Sequence, residues 1–263
     1  MEIVDYVALR KAEIREEIPH LKKKPTLAII VVGNNPASEA YVRGKLKDAA
    51  EVGFTAIDYR FDENVSEEEV LAKIRECNQN PEIDGLLVQL PVPKHISTEK
   101  INATIDPAKD VDGFCLGTKF DCCTPKGIID YLARDGFSFT GKNAVVFGRS
   151  AIVGKPMANL LLARNCNVTV LHSKTSEEDR RFYAKHADLI VVAIGKMGLI
   201  DHTYEFKESC VVVDVGINRG EDGHLHGDCV PGLPVAKQTP VPKGVGLLTR
   251  LALLENLLEA AKR

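Results

Sequence analysis

Apolar and polar positions along this chain form two successive series of short hydrophobic runs separated by amphipathic stretches. Residues 26–33 are apolar at nearly every position, which suits a strand covered on both faces. An amphipathic helix pattern precedes them at 5–18, with Val4, Val7, Ile14 and Ile18 apolar among charges. A turn is expected at 34–38 and a helix over about 39–51, ended by Gly53. A second strand follows at 55–61. The next helix opens at Ser66 with three glutamates, which suit the positive end of a helix dipole, and stops near Asn80 and Pro81. The third strand spans 83–91, and a further helix over 127–132 is closed by Asp135 and Gly136. The second series has strands at 143–147, 167–172, 187–194 and 209–216, with helices at about 153–165 and 176–186. A last helix, 245–261, follows a proline-rich crossing at 239–242.

Strand–helix alternation favours parallel sheets with right-handed crossovers. The fold class expected is therefore α/β, with two α/β domains, the second of Rossmann type, joined near residue 137. The last helix is free to cross back onto the first domain. The boundaries expected are 1–137 plus 246–263 for one domain and 138–245 for the other.

Composition narrows the function classes. Hydrophobic residues make up 44% of the chain and charged residues 27%, as in ordinary soluble proteins. A net charge of -3 gives no reason to expect nucleic acid or an anionic membrane as partner. No apolar run approaches a membrane span, and residues 1–6 lack the basic and apolar regions of a secretion signal. Seven cysteines, an odd number without CxxC spacing, read as reduced thiols of a cytoplasmic protein. His224-x-His226-x-x-Cys229 is the most metal-like cluster, but turn residues flank a short alternating strand there. A solvent-facing hairpin is the reading preferred, and no metal is expected.

Between the strand 143–147 and the following helix lies Gly148-x-Ser150-x-x-x-Gly154. Strand, glycine loop and helix in that order build a phosphate cradle from backbone N–H groups and the helix dipole. The spacing departs from the usual dinucleotide fingerprint, so by itself it is equally a plain strand-to-helix turn.

Three features of the first domain are candidates for chemistry. Tyr41 and Lys45 lie one turn apart on one helix face, where a solvated face with a lysine stem over an aromatic ring is the plain alternative. Gln89 interrupts the apolar run 86–90. A buried amide needs partners, and the C-terminal end of a parallel strand is where ligands bind. Asp110 and Asp112 sit in the loop 109–114, which is otherwise a turn closed by a self-bonding aspartate.

These features, in this order ahead of the glycine loop, resemble the bifunctional methylenetetrahydrofolate dehydrogenase/methenyltetrahydrofolate cyclohydrolase family. The matching stretches are 32–47, 83–93, 109–114, 123–127, the glycine loop, 213–219 and 239–246, so the resemblance runs from about residue 25 to the C-terminus. It implies a cleft between the two domains, with folate bound by the first and the nicotinamide cofactor by the second. Tyr41 would stack on the aminobenzoate ring, and Asp112 would accept hydrogen bonds from the pterin. Lys45 would lie near the one-carbon unit and move protons in the hydrolytic step, with a lowered pKa beside the substrate cation. Gln89 would hold Lys45 in place. Leu90, Pro91 and Gly244 complete the implied substrate contacts. Gly148, Arg149, Ser150, Val153 and Gly154 would meet the cofactor in the loop, as would His172, Ser173 and Lys174 at the next strand end. Ile194, Gly195, Gly216, Ile217 and Thr249 complete the cofactor set.

The cofactor expected is NADP. An NAD site would place an acid at the end of the strand 167–172, where this chain has Leu171-His-Ser-Lys-Thr175. Arg149, Ser173 and Lys174 suit a 2′-phosphate instead. Two departures from the family pattern stand out, the stretch Pro242-Lys-Gly-Val-Gly-Leu-Leu-Thr249 and a shortened loop at 114–123. Partners expected are tetrahydrofolate one-carbon derivatives and, by the resemblance, a second copy in a homodimer serving purine biosynthesis. The alternatives are loss of one activity, a non-catalytic dinucleotide-binding subunit, or a shikimate-type NADP dehydrogenase.

Overall fold

The computed structural model describes residues 1–263, except the side chain of Ala37. It resolves two compact units, each built on its own parallel sheet. The three-stranded unit comprises Ala8–Cys123 and Arg250–Arg263, and the five-stranded unit Met1–Val7 and Thr124–Thr249.

In the three-stranded unit the strands are β1 (Thr26–Val32), β2 (Thr55–Phe61) and β3 (Gly85–Val88), in the order β2-β1-β3 and all parallel. Six of seven β1 residues are buried, as its continuous apolar run requires of a central strand, whereas β2 at the edge is only half-buried. Helix α1 (Ile3–Glu17) begins in the other unit; Val7 and Ile14 are buried, while Val4, expected on the apolar face, points to solvent and Ile3 and Tyr6 are buried instead. Helix α2 (Pro36–Val52) starts three residues earlier than expected. Pro36 takes the first helical position, where its missing N–H costs nothing, and the Asn35 side chain accepts from Ser38 N at 3.2 Å. Ser66 caps α3 (Glu67–Gln79) in a capping box with Glu69. The short α4 (Thr98–Thr104), capped by Ser97, is an element the periodicity did not reveal.

In the five-stranded unit, β4 (Asn143–Phe147), β5 (Asn167–Leu171), β6 (Leu189–Val192), β7 (Val211–Asp214) and β10 (Lys237–Gln238) lie in the order β10-β7-β6-β4-β5, all parallel. Helices α6 (Gly154–Ala163) and α7 (Glu177–His186) make the crossovers, the latter capped by Ser176. The hairpin expected around the histidines forms from β8 (Asn218–Arg219) and β9 (Leu225–His226). Strand β10 was unforeseen. Helix α5 (Cys123–Arg134) is longer than expected, and its residues from Thr124 group with this unit rather than with the preceding domain. The reason is local packing. A Cβ on Gly127 would sit 2.5 Å from Leu248 O, and the Tyr131 ring packs tilted against Tyr6, centroids 5.4 Å apart, beneath the Lys237 ammonium. Helix α8 (Val245–Ala261) supplies its later turns to the three-stranded unit, where Asn256 donates to Val111 O at 2.9 Å.

Candidate active site

Within the three-stranded unit, one face of α2 presents Ser38, Tyr41, Lys45 and Asp48 at helical spacing. Ser38 Oγ donates to Leu90 O at 3.3 Å, which seats the segment after β3 against that face. Gln89 stands just beyond β3: its N–H continues the ladder to Ile30 O at 2.8 Å, and its Nε2 donates to Leu90 O at 2.8 Å. Its Oε1 is buried without a partner among the described residues. Lys45 is only 6% exposed, and its Nζ lies 3.9 Å from Asp112 Oδ2, beyond hydrogen-bond reach.

The two aspartates of the loop divide the work. Asp110 accepts from Gly113 N at 3.1 Å and Cys115 N at 2.7 Å, so it closes the turn. Burial raises its pKa, with those two N–H bonds opposing. Relieved of that task, Asp112 faces Lys45 and takes a weak bond from Cys123 Sγ at 3.7 Å. Asp112 also lines a narrow recess with Leu87, Val88 and Leu90. Beside it, the ends of β1 and β3 border an open cavity of about 330 Å³ lined by Gly33, Asn34, Asn35, Glu63 and Pro91.

The far end of the α2 face is fixed by buried charge. Asp48 accepts from Lys11 Nζ of α1 at 2.7 Å and from Arg250 Nε of α8 at 2.5 Å. Neither Asp48 nor Arg250 was singled out from sequence, since an acid in a charged helix looks like a solvated position. Burial raises the Tyr41 pKa, against the opposing charge of Arg250, so the ring is presented as a neutral phenol.

In the five-stranded unit the other expected residues gather at the C-terminal ends of the strands. Gly148 follows β4 at φ +121°, and a Cβ there would meet Ala193 O at 2.3 Å. Gly154 opens α6 so close to the loop that a Cβ would lie 2.3 Å from Gly148 O. Both glycines are thus required by backbone approach. Ser150 Oγ accepts from Val153 N at 3.2 Å and Gly154 N at 3.3 Å, which caps the helix from within the loop. Arg149, Ser173 and Lys174 are exposed, and His172 Nδ1 accepts from Lys174 N at 3.2 Å. Ile194 and Gly195 follow β6, and Gly216 and Ile217 follow β7. Strand order turns back between β4 and β6, and that is the switch point where open α/β sheets hold ligands.

Gly244 and Thr249 also belong to this unit. Thr249 Oγ1 lies 2.9 Å from Thr124 Oγ1. In the hairpin, His226 pairs with Asp222 at 2.9 Å while Cys229 is buried. Among the described residues, no three acidic, histidine or cysteine side chains are grouped to hold a metal ion, and no helix is long and apolar enough to cross a membrane.

Known proteins share this arrangement. Residues 5–112 match the tetrahydrofolate dehydrogenase/cyclohydrolase catalytic domain, and residues 122–263 the tetrahydrofolate dehydrogenase/cyclohydrolase NAD(P)-binding domain. The chain is 45% identical over 267 residues to the Bifunctional protein FolD of Acetivibrio thermocellus, covering 96% of this chain and 93% of that one. A crystal structure of the FolD methylenetetrahydrofolate dehydrogenase/cyclohydrolase from Campylobacter jejuni superposes with a TM-score of 0.94 at 40% identity, covering 98% of this chain and 96% of that one. The Trypanosoma brucei dehydrogenase-cyclohydrolase, complexed with NADP cofactor and inhibitor, gives 0.93 at 30% identity, covering 100% of this chain and 97% of that one.

Proposed function

The chain belongs to the tetrahydrofolate dehydrogenase/cyclohydrolase family, and from that premise we propose a bifunctional one-carbon folate enzyme. It oxidises 5,10-methylenetetrahydrofolate to the 5,10-methenyl cation with NADP, then hydrolyses that cation to 10-formyltetrahydrofolate. Folate binding is assigned to the three-stranded unit and cofactor binding to the five-stranded unit.

One observation carries the reading. The Gln89 Oε1 is a buried polar group without a hydrogen-bond partner among the described residues, and the buried Lys45 ammonium makes a 3.9 Å ion pair with Asp112. An unpartnered buried group costs about 1–3 kcal/mol unless a ligand satisfies it. Tyr41 offers the bound folate a flat face at little entropic cost, and Asp112 accepts from the paired N–H edge of the pterin. Lys45 takes the proton from the water that adds to the methenyl carbon, and Gln89 orients Lys45. Ring opening then needs a proton delivered to the departing nitrogen, within reach of the same ammonium.

The cofactor, when bound, accepts the hydride from the methylene bridge. The residues present fit the phosphorylated form. The end of β5 carries His172, Ser173 and Lys174 with no carboxylate, and Arg149 is exposed in the loop. The positive end of the α6 dipole, reached through the close Gly148–Gly154 approach, suits the pyrophosphate. Both activities belong to this family, which displaces a shikimate-type reaction.

The reading extends to a cytoplasmic homodimer that supplies one-carbon units for purine biosynthesis. Seven free, buried cysteines suit a reducing compartment. Half-buried β5 at the sheet edge, with Val170 exposed, is available for a second copy.

Replacing Lys45 by methionine tests the assignment. Lys45→Met should lower cyclohydrolase turnover at least about 100-fold, the usual range for general acid–base catalysis, while NADP still binds. Full cyclohydrolase activity in that variant would overturn it.

A further inference from the structure

The cofactor end of the five-stranded unit contains a carboxylate that none of the preceding chemistry uses. Asp228 is completely buried. Its Oδ2 accepts from Ile194 N at 2.7 Å and Gly195 N at 2.9 Å, while its Oδ1 accepts from Asn218 Nδ2 at 2.9 Å. Gly216 packs directly on it, since a Cβ there would stand 2.3 Å from the same Oδ1. One carboxylate therefore touches the loop after β6 and the loop after β7, and Ile217 is held between its two neighbours, Gly216 and Asn218. A second buried carboxylate, Asp214, supports the first by accepting from Gly216 N at 2.9 Å, Asp228 N at 3.0 Å and Cys229 N at 2.8 Å.

What this rigid node carries is unusual for a structural cross-link. Ile194 and Ile217 keep 40% and 49% of their surface exposed on backbone that is fastened from beneath. Apolar side chains held open over an immobilised backbone make a platform for a flat ring. The carboxylate bridges both loops at the C-terminal end of the sheet, where side chains of a functional face need a fixed support.

We infer that Asp228 is the positioning residue of the cofactor face, fixing the loops of Ile194–Gly195 and Gly216–Ile217 as one surface against which NADP is bound. The inference rests on the reading that this end of the sheet binds NADP. Asp228 itself does not touch the cofactor. Its contribution is to bring donors and apolar side chains from two separate loops into one fixed geometry.

Two variants test it, with the cofactor-free hydrolysis of 5,10-methenyltetrahydrofolate as the control for folding. Asp228→Ala leaves the N–H groups of Ile194 and Gly195 unpaired, so the Kd and KM for NADP should rise at least about tenfold, the loss expected from one charge-assisted contact. Cyclohydrolase kcat/KM should stay within about twofold of the native value. Asp228→Asn keeps one acceptor oxygen for those two N–H groups and should recover NADP affinity to within about threefold. Unchanged NADP affinity in Asp228→Ala would overturn the inference. So would a parallel fall of both activities that Asp228→Asn fails to relieve, because that marks a purely structural role. A native protein that binds no NADP in the same titration would instead refute the underlying cofactor assignment.

Discussion

The two units share a three-strand frame, to which the five-stranded unit adds β7 and β10, and within that frame they part at its functional end. Strand order β2-β1-β3 in one corresponds to β5-β4-β6 in the other. The registers coincide as well, with Leu27 opposite Gly85 and Ala144 opposite Leu189. At the N-terminal ends both sheets use one bracket. Asp84 accepts from Thr26 N at 2.9 Å and pairs with Lys23, while Asp188 accepts from Asn143 N at 2.8 Å and pairs with Lys207. At the C-terminal ends the ladders close alike, Gln89 N on Ile30 O and Ala193 N on Phe147 O, each at 2.8 Å. Beyond that point they part. The three-stranded unit continues with polar side chains, Gln89 with an Oε1 unpartnered among the described residues and Lys45 in a 3.9 Å ion pair with Asp112. The five-stranded unit continues with glycine-lined backbone, its buried acids fully occupied by N–H groups. A common frame thus supports side-chain chemistry in one unit and backbone recognition in the other.

The sharpest way to break this contrast is to remove a side chain from the first unit. Asp112→Ala should lower kcat/KM for the folate substrate about 100-fold in both reactions, because a carboxylate bonded to paired donors contributes about 1.5–3 kcal/mol. NADP affinity should not move. Steady-state kinetics with both substrates, alongside a cofactor titration, would decide it. A comparable loss of NADP binding would mean that the two units do not divide recognition as argued.

The frame was readable because its signals are local. Continuous apolar runs mark β1 and β4, and Ser66 and Ser176 mark helix starts three residues ahead of an acidic side chain. Pro36 reads as part of a turn beside two asparagines, although it occupies the first turn of α2. Strand β10 is two polar residues whose only reason to be extended is pairing with β7, so no periodicity betrays it. Of the site, Gln89 and Asp112 stand out as polar residues in an apolar run and a turn, and Lys45 by sharing a helix face with Tyr41. The buried acids that tie distant segments of each unit together do not. Asp48 meets Arg250 across 202 positions and Asp228 meets Ile194 across 34, distances at which sequence spacing carries no geometry. Asp228 left one trace, an acid between Gly227 and the apolar Cys229-Val230.

A smaller effect should sharpen the recognition half of the comparison. Arg149→Gln removes an exposed cation from the glycine loop while leaving Gly148, Ser150 and the start of α6 in place. Catalytic efficiency with NADP should fall about tenfold, that with NAD should hardly change, and hydrolysis of the methenyl substrate should be untouched. Measuring the NADP to NAD ratio isolates the 2′-phosphate from the rest of the cofactor. An equal fall with both cofactors would place Arg149 on the shared pyrophosphate instead.

The smallest effects belong to the shared bracket, where the units should behave alike. Burial pushes the Asp188 pKa up, but the Lys207 ammonium and the Asn143 N–H outweigh it and hold the carboxyl below its ordinary value. Its stabilising contribution is therefore present above the unfolded-state pKa and lost as pH falls through the lower folded-state value. Asp188→Asn should reduce stability by about 0.5–1 kcal/mol near neutrality and by progressively less as the solution is acidified, with both activities intact. Asp84→Asn, which removes the matching contact to Lys23, should cost a similar amount at neutral pH. Denaturant unfolding of both variants at neutral and acidic pH checks this. If either substitution abolished an activity while barely changing stability, the N-terminal ends of the sheets would no longer be the purely structural half of the frame.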